Sequence, residues 1–193
     1  MLHNKYSEIL NQFLGDYSKR IYGRELIGKV PLSQKGIALD LEQLEKKGIL
    51  KSEREGNIRF YRLNLMNPGI KDIVISAEIS KKIEFFERRR KIAHIFRKDD
   101  RIIGIFGSYA KGIEKETSDI DVFIIGSKEK NDYNDQGKIY DLNISIIYFS
   151  EREFKNLIKE KNELCKEIIK DHIIIFSIEK FVNIIWGDYY GFD

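Results

Sequence analysis

The chain has 193 residues, 42% of them hydrophobic and 34% charged, with one cysteine (Cys165) and a net charge of +3. That suits one large domain or two small ones, and it excludes a disulfide framework or a multi-cysteine zinc site. No apolar run approaches the ~20 residues of a membrane-spanning helix, and the opening MLHNKYSEIL has no signal-peptide core, so the expectation is a cytoplasmic protein with no membrane partner.

From Asn4 to Leu14, apolar residues recur at helical spacing, and Gly15 is placed to end that helix. A short helix is expected from Tyr22 to Gly28, before Pro31 breaks the chain. Ser33 reads as the N-cap of the helix SQKGIALDLEQLEKKG. Ile37, Leu41 and Leu44 mark its apolar face, and Gly48 marks its end. The segment ILKSEREGNIRFYRLN reads as two strands around a turn at Glu55-Gly56-Asn57. Charge is uneven: residues 1–66 hold 12 Lys and Arg against 8 Asp and Glu, the remainder 22 against 23. The N-terminal third is therefore the better candidate for a polyanion partner.

Three helices followed by a hairpin resemble the winged helix-turn-helix domains of bacterial and archaeal regulators. LEQLEKKGILKSEREGNIRFYRLN carries most of that resemblance. It implies a DNA-binding domain over residues 1–66, with Gln34 and Lys35 near base edges and Ser33 on a phosphate. Arg54 and Arg59 in the wing would touch backbone or minor groove, and duplex DNA would be read by a homodimer.

After Pro68 and Gly69, a helix is expected from Ile70 to Phe96, connecting two domains over residues 67–97. Ile73, Ile75, Ile79, Ile83 and Phe86 offer it a dimer contact. Its basic cluster Arg88-Arg89-Arg90-Lys91 reads as a solvated face rather than a nucleic-acid patch, and His94 as a packed surface histidine. Beyond it, RIIGIF and DIDVFIIG are strands, and residues 128–138 are a mobile loop. YDLNISIIYFS is a third strand, with Asp141, Asn143 and Ser145 on one face. SEREFKNLIKEKNELCKEIIKD is an amphipathic helix, HIIIFS a short strand, and IEKFVNIIW a closing helix.

The chemistry concentrates in GSYAKGIEKETSDIDVFIIG, residues 107–126. A glycine after an apolar strand lets backbone approach a bulky ligand closely, and the helix that follows offers free N–H groups to phosphate. Ser108 adds a hydroxyl there. Asp119 and Asp121 stand two apart on a strand and so face one point. Such a pair suits Mg²⁺, which is typically bound by a few carboxylates together with substrate phosphates.

Gly-Ser, a spacer of ten residues, then Asp-x-Asp resembles the polymerase β-like nucleotidyltransferase superfamily. In detail the stretch resembles its minimal nucleotidyltransferases, which include antitoxins and kanamycin-type transferases; Ala110, Gly112 and Ser118 also match. The resemblance covers about residues 98–180, within a domain expected over 98–193. It implies an α+β fold with a mixed sheet flanked by helices, Gly107 and Ser108 on the triphosphate of an NTP, and Asp119 and Asp121 as catalytic metal ligands. Active members carry a third carboxylate on a neighbouring strand, where this chain has Ser145. Asp141 stands four residues away, about 13 Å along a strand. The resemblance therefore leaves three readings: a nucleotidyltransferase, a regulator with a nucleotide-sensing domain, and an antitoxin-type protein acting on a toxin-like partner.

Overall fold

The computed structural model describes residues 6–129 and 133–192. The fold is mixed α+β with two sheets. Its contacts fall into two compact units, Met1–Ser80 and Lys81–Asp193. The expectations that fall on Asn4 and Lys5 and on residues 130–132 lie outside the described residues.

In the first unit, α1 (Ser7–Leu10) runs into a 3₁₀ turn at Asn11–Phe13. Strand β1 (Ile21–Tyr22) and a second 3₁₀ turn (Gly23–Leu26) follow. The helix expected over 22–28 is therefore a strand end and a single tight turn, because Leu26 alone of that turn is buried and one anchor does not sustain a helix. Helix α2 (Gln34–Lys46) starts where the Ser33 Oγ accepts the Gly36 N–H at 3.1 Å. It ends in a glycine motif: Gly48, at φ +68, donates to Glu45 and Ile49 donates to Leu44. Strands β2 (Leu50–Glu55) and β3 (Ile58–Leu63) form the hairpin, with Glu55 opposite Ile58 across Gly56-Asn57. The sheet order is β1-β3-β2, antiparallel throughout. Ile37, Leu41 and Leu44 of α2 are buried with Ile9, Phe13, Leu50 and Leu63.

Helix α3 (Ile70–Arg88) does not reach Phe96. It breaks at Arg89 (φ −131), and α4 (Arg90–Ile95) restarts. Neither proline nor glycine causes the break. The Arg89 side chain is drawn inward, over the Phe85 ring at 4.7 Å and onto Glu114 at 2.5–2.7 Å.

The second unit is built on β4 (Ile102–Phe106), β5 (Ile120–Ile125), β6 (Ile144–Phe149) and β7 (Ile173–Phe176), in the order β6-β5-β4-β7. β5 pairs parallel with β6, and β4 pairs antiparallel with both β5 and β7. Between the strands lie α5 (Gly107–Lys111), α6 (Asn134–Ile139), α7 (Glu151–Lys159) and α8 (Glu163–Lys170). After β7 come α9 (Ile178–Ile184) and a π-helical turn, Ile185–Tyr189. β4 is buried at every position because both faces of the sheet are covered. On one face Ile103, Ile105, Val122 and Ile124 pack with Phe85, Ile92, Ile95 and Phe96. On the other, Phe123 meets Phe106 and Phe181. Gly104 lies opposite Phe123, and a Cβ there would overlap its ring.

Three further expectations change. The loop over 128–138 contains most of α6, with Gly137 pressed against Leu142 and Ile144, where a side chain has no room. The long helix after Ser150 is two helices, because Lys161 takes a left-handed turn and Asn162 caps α8 by accepting from Leu164 and Cys165. The strand expected from Tyr140 starts at Ile144; Asp141 sits in a left-handed turn at φ +56.

Candidate active site

The site forms at the end of β4 and the start of β5. Register places Phe106 opposite Asp121, so Gly107, the next residue, arrives beside the Asp121 side chain. Gly107 has φ +68, which favours glycine, and a Cβ there would collide with the Asp121 carboxylate. One glycine thus allows both the turn into α5 and a carboxylate pressed against backbone. Ser108, partly buried, begins α5 with it, and the first amides of a helix have no intrahelical acceptor.

Asp119 and Asp121 lie on the sheet face that carries Phe123, by the strand's period of two. Asp119 is exposed and Asp121 half-buried. Ser118 positions this pair by closing a turn with Lys115: each backbone meets the other residue, and the Ser118 Oγ accepts the Lys115 N–H at 2.9 Å. Burial, then the charge of Asp119, then that of Glu167, push the Asp121 carboxyl upward in pKa. No lysine or arginine among the described residues pairs with either aspartate.

The donor set fits Mg²⁺. It offers hard oxygens on one strand face and a carboxylate whose charge is disfavoured until a cation arrives. No cluster of three or more His, Cys, Asp or Glu suited to a metal occurs among the described residues. A cation held by these two carboxylates would have to take its remaining ligands from solvent or from a bound molecule.

Register also fixes the neighbouring strand. Ser145 is the direct partner of Asp121 across β5 and β6, and it is exposed. The place where a third carboxylate was expected is thus beside the aspartates, and a hydroxyl fills it. Asp141, in its turn before β6, does not share the strand periodicity that would aim it there.

Two charged residues of the neighbourhood had no sequence signal. Lys111, at the end of α5, pairs with Glu167 of α8 at 2.6 Å. They are 56 residues apart, and only the fold brings them together. Tyr109 is buried; burial and then Glu114 raise its phenol pKa, Arg89 opposes this, and Asp119 adds to it. A cleft of about 610 Å³, lined by Ile102, Lys180, Asn183 and Asp188, opens at the opposite end of β4 from the aspartates. The carboxylate chemistry lies elsewhere, and the Lys155 that also lines this cleft is already held by Glu151 and Asp188.

In the first unit, Gln34 and Lys35 are exposed at the start of α2. Ser33 is exposed, and its hydroxyl already accepts the capping bond while keeping its own proton to donate. Arg54 and Arg59 lie opposite each other on the hairpin. Arg54 is exposed, whereas Arg59 is held by Glu45 and by the Ser52 Oγ at 2.9 Å.

Residues 90–181 match the family model described as Polymerase beta, Nucleotidyltransferase. The match spans all four strands of the second sheet and both aspartates, and it assigns a nucleotidyltransferase domain to this part of the chain. It covers none of the first unit. No curated protein and no solved structure matches the chain. No helix among the described residues is long and apolar enough to cross a membrane.

The raised pKa of Asp121 has a stability consequence. A carboxyl whose folded pKa lies above its unfolded value, near 3.8, destabilises the fold where it is ionised. The penalty is absent below the unfolded value and complete above the folded one. Asp121→Asn is expected to raise the melting temperature of the metal-free protein at pH 7, with no gain near pH 3. Equal or lower melting of the variant at pH 7 contradicts this.

Proposed function

We propose that the second unit binds a nucleoside triphosphate with Mg²⁺ and transfers a nucleoside monophosphate to a hydroxyl. The observation that carries this reading is the pair Asp119 and Asp121, without a cationic partner among the described residues, beside Gly107 and Ser108. Asp119 and Asp121 would hold the metal, and Gly107 and Ser108 the phosphates. Mg²⁺, when bound, would neutralise charge on the phosphates. The acceptor oxygen then bonds to the α-phosphorus, the bond to pyrophosphate breaks, and pyrophosphate leaves. The hydroxyl proton passes to solvent, because Ser145 is no base at neutral pH.

Ser145 beside Asp121 supports a second reading: a nucleotide-binding domain of weak or lost activity, serving as a sensor or as a dock for a toxin-like protein. Removing a general base typically costs ~10²–10⁴-fold in rate. Transfer of radioactive label from an NTP to the protein or an added acceptor separates the two readings. Ser145→Asp is expected to raise labelling about 10²-fold, and Asp119→Asn to abolish it. Labelling that is strong in wild type and unchanged in Ser145→Asp removes the second reading; no labelling in either removes the first.

For the first unit we propose duplex DNA binding as a winged helix, in a cytoplasmic protein that dimerises through α3. The β1-β3-β2 sheet, the exposed start of α2 and the exposed wing support the DNA reading. On α3, Ile79 and Ile83 are 40% and 49% exposed one helical turn apart, which supports the dimer. Gln34 and Lys35 would meet base edges, Ser33 a phosphate, and Arg54 and Arg59 the backbone. A gel-shift series on the chain's own upstream DNA tests it. Lys35→Ala with Arg54→Ala is expected to weaken binding, to relax sequence preference through Lys35 and to lower the salt dependence by about one phosphate contact through Arg54. No binding at low salt contradicts the reading.

A further inference from the structure

The candidate site residues hang on the two ends of one connector. Gly107 and Ser108 begin α5, Asp119 and Asp121 flank the first residue of β5, and residues 112–118 join the two elements. The connector has no hydrophobic anchor: its one hydrophobic side chain, Ile113, is 69% exposed. Its order is therefore set by polar bonds. Ile113 donates its N–H to the Ser108 carbonyl at 3.1 Å, which ties the first half to the glycine-serine turn. Lys115 and Ser118 close the second half into the turn that precedes Asp119. Glu114 stands between the two halves.

Glu114 is also where the connector is tied to the rest of the unit. Its Oε1 accepts from Arg89 Nε at 2.7 Å and pairs with Nη2 at 2.5 Å. Among the described residues this is the one side-chain bond from residues 112–118 to another element. Arg89 is itself anchored: it lies over the Phe85 ring at 4.7 Å, and Phe85 is buried with Ile92 and Ile95 in the core. The two charged side chains are 19% and 21% exposed, so salt screens the pair less than it screens a surface pair. The charges of Glu114, Arg89 and Asp119 all bear on the phenol of buried Tyr109, which gathers the pair and the first aspartate around one side chain.

We infer that Glu114, held by Arg89, is a positioning residue: it fixes the connector so that Asp119 and Ser108 converge on one Mg-nucleotide. Neither side chain of the pair touches the reacting atoms. The metal role rests on the function proposed above; the tether itself does not. The physical reason is conformational entropy. A polar connector without a buried anchor is costly to order, and an ion pair already made orders it before the ligand arrives. Asp119, the exposed one of the two carboxylates, follows directly on the connector and depends on it most. Without the pair, ligand binding must supply that ordering, and a misplacement of about 1 Å can cost ~10²-fold in rate.

The tether is tested first, on the full chain without metal or nucleotide. Amide hydrogen exchange at Ile113 and Ser118, followed by NMR, is expected to be at least about tenfold faster in Glu114→Gln than in wild type. Unchanged exchange overturns the tether. ATP is then titrated by calorimetry across a Mg²⁺ series. Glu114→Gln and Arg89→Gln should each raise the Mg²⁺ needed for half-maximal ATP binding about tenfold. The double variant should raise it no further than either single one, because both remove the same pair. Glu116→Gln removes an equal charge from an exposed side chain of the same connector and should leave the midpoint unchanged. An equal shift in Glu116→Gln assigns the effect to net charge and overturns the positioning role. So does an unchanged midpoint in Glu114→Gln. Where Gln at position 114 impairs folding, Arg89→Lys, which keeps the charge but not the two-donor contact, should shift the midpoint in the same direction. A wild type that binds no Mg-ATP removes the metal role together with the function proposed above, and the exchange result still decides the tether.

Discussion

The second unit is organised around one close approach: the Asp121 carboxylate against the backbone of Gly107. Register between β4 and β5 sets it, because Asp121 stands opposite Phe106 and the chain turns immediately afterwards. Only a residue without a Cβ, able to take φ +68, permits it. The arrangement works against stability. It holds a carboxylate partly out of water, near Asp119 and within reach of the charge on Glu167. A covered β4 and the Phe123–Phe106–Phe181 packing hold the strand ends in register despite that cost. Sites that are uncomfortable when empty and relieved by a ligand are a common form of preorganisation.

The surroundings show how the remaining polar groups are used. Lys111 is the cation nearest in sequence to the glycine-serine turn, and it is committed to Glu167 rather than to the aspartates. Arg89, at the break between α3 and α4, is committed to Glu114. Neither Asp119 nor Asp121 thereby gains a cationic partner among the described residues, and only carboxylate charge bears on Asp121.

Much of this was legible in the sequence where the signal is local. The spacing of Gly107, Ser108, Asp119 and Asp121 between two apolar runs was enough to place a turn after β4 and, by the strand period, both carboxylates on one face. Ser33 and Gly48 bracket α2 by capping chemistry, as expected. The placement of Ser145 beside Asp121 was also readable, since it needed only the apolar pattern of β6. What was not legible depends on tertiary contact. The break at Arg89 coincides with its pairing to Glu114, 25 residues away, and no proline or glycine at the break announces it. The strand β1 is two residues long and exists because β3 pairs with it. Helix α6 lies in a polar stretch that reads as a loop, and the close approach of Leu142 and Ile144 to Gly137 is a tertiary contact with no local signal. Glu167 had no local signal at all.

The central claim is that the two aspartates form a metal-dependent nucleotide site. Calorimetric titration of ATP into the wild-type chain, once with Mg²⁺ and once with the metal chelated, tests it most directly. The account predicts binding with Mg²⁺ and little or none without it, because two adjacent carboxylates repel the phosphates until a cation lies between them. Equal affinity under the two conditions, or no binding in either, would contradict it.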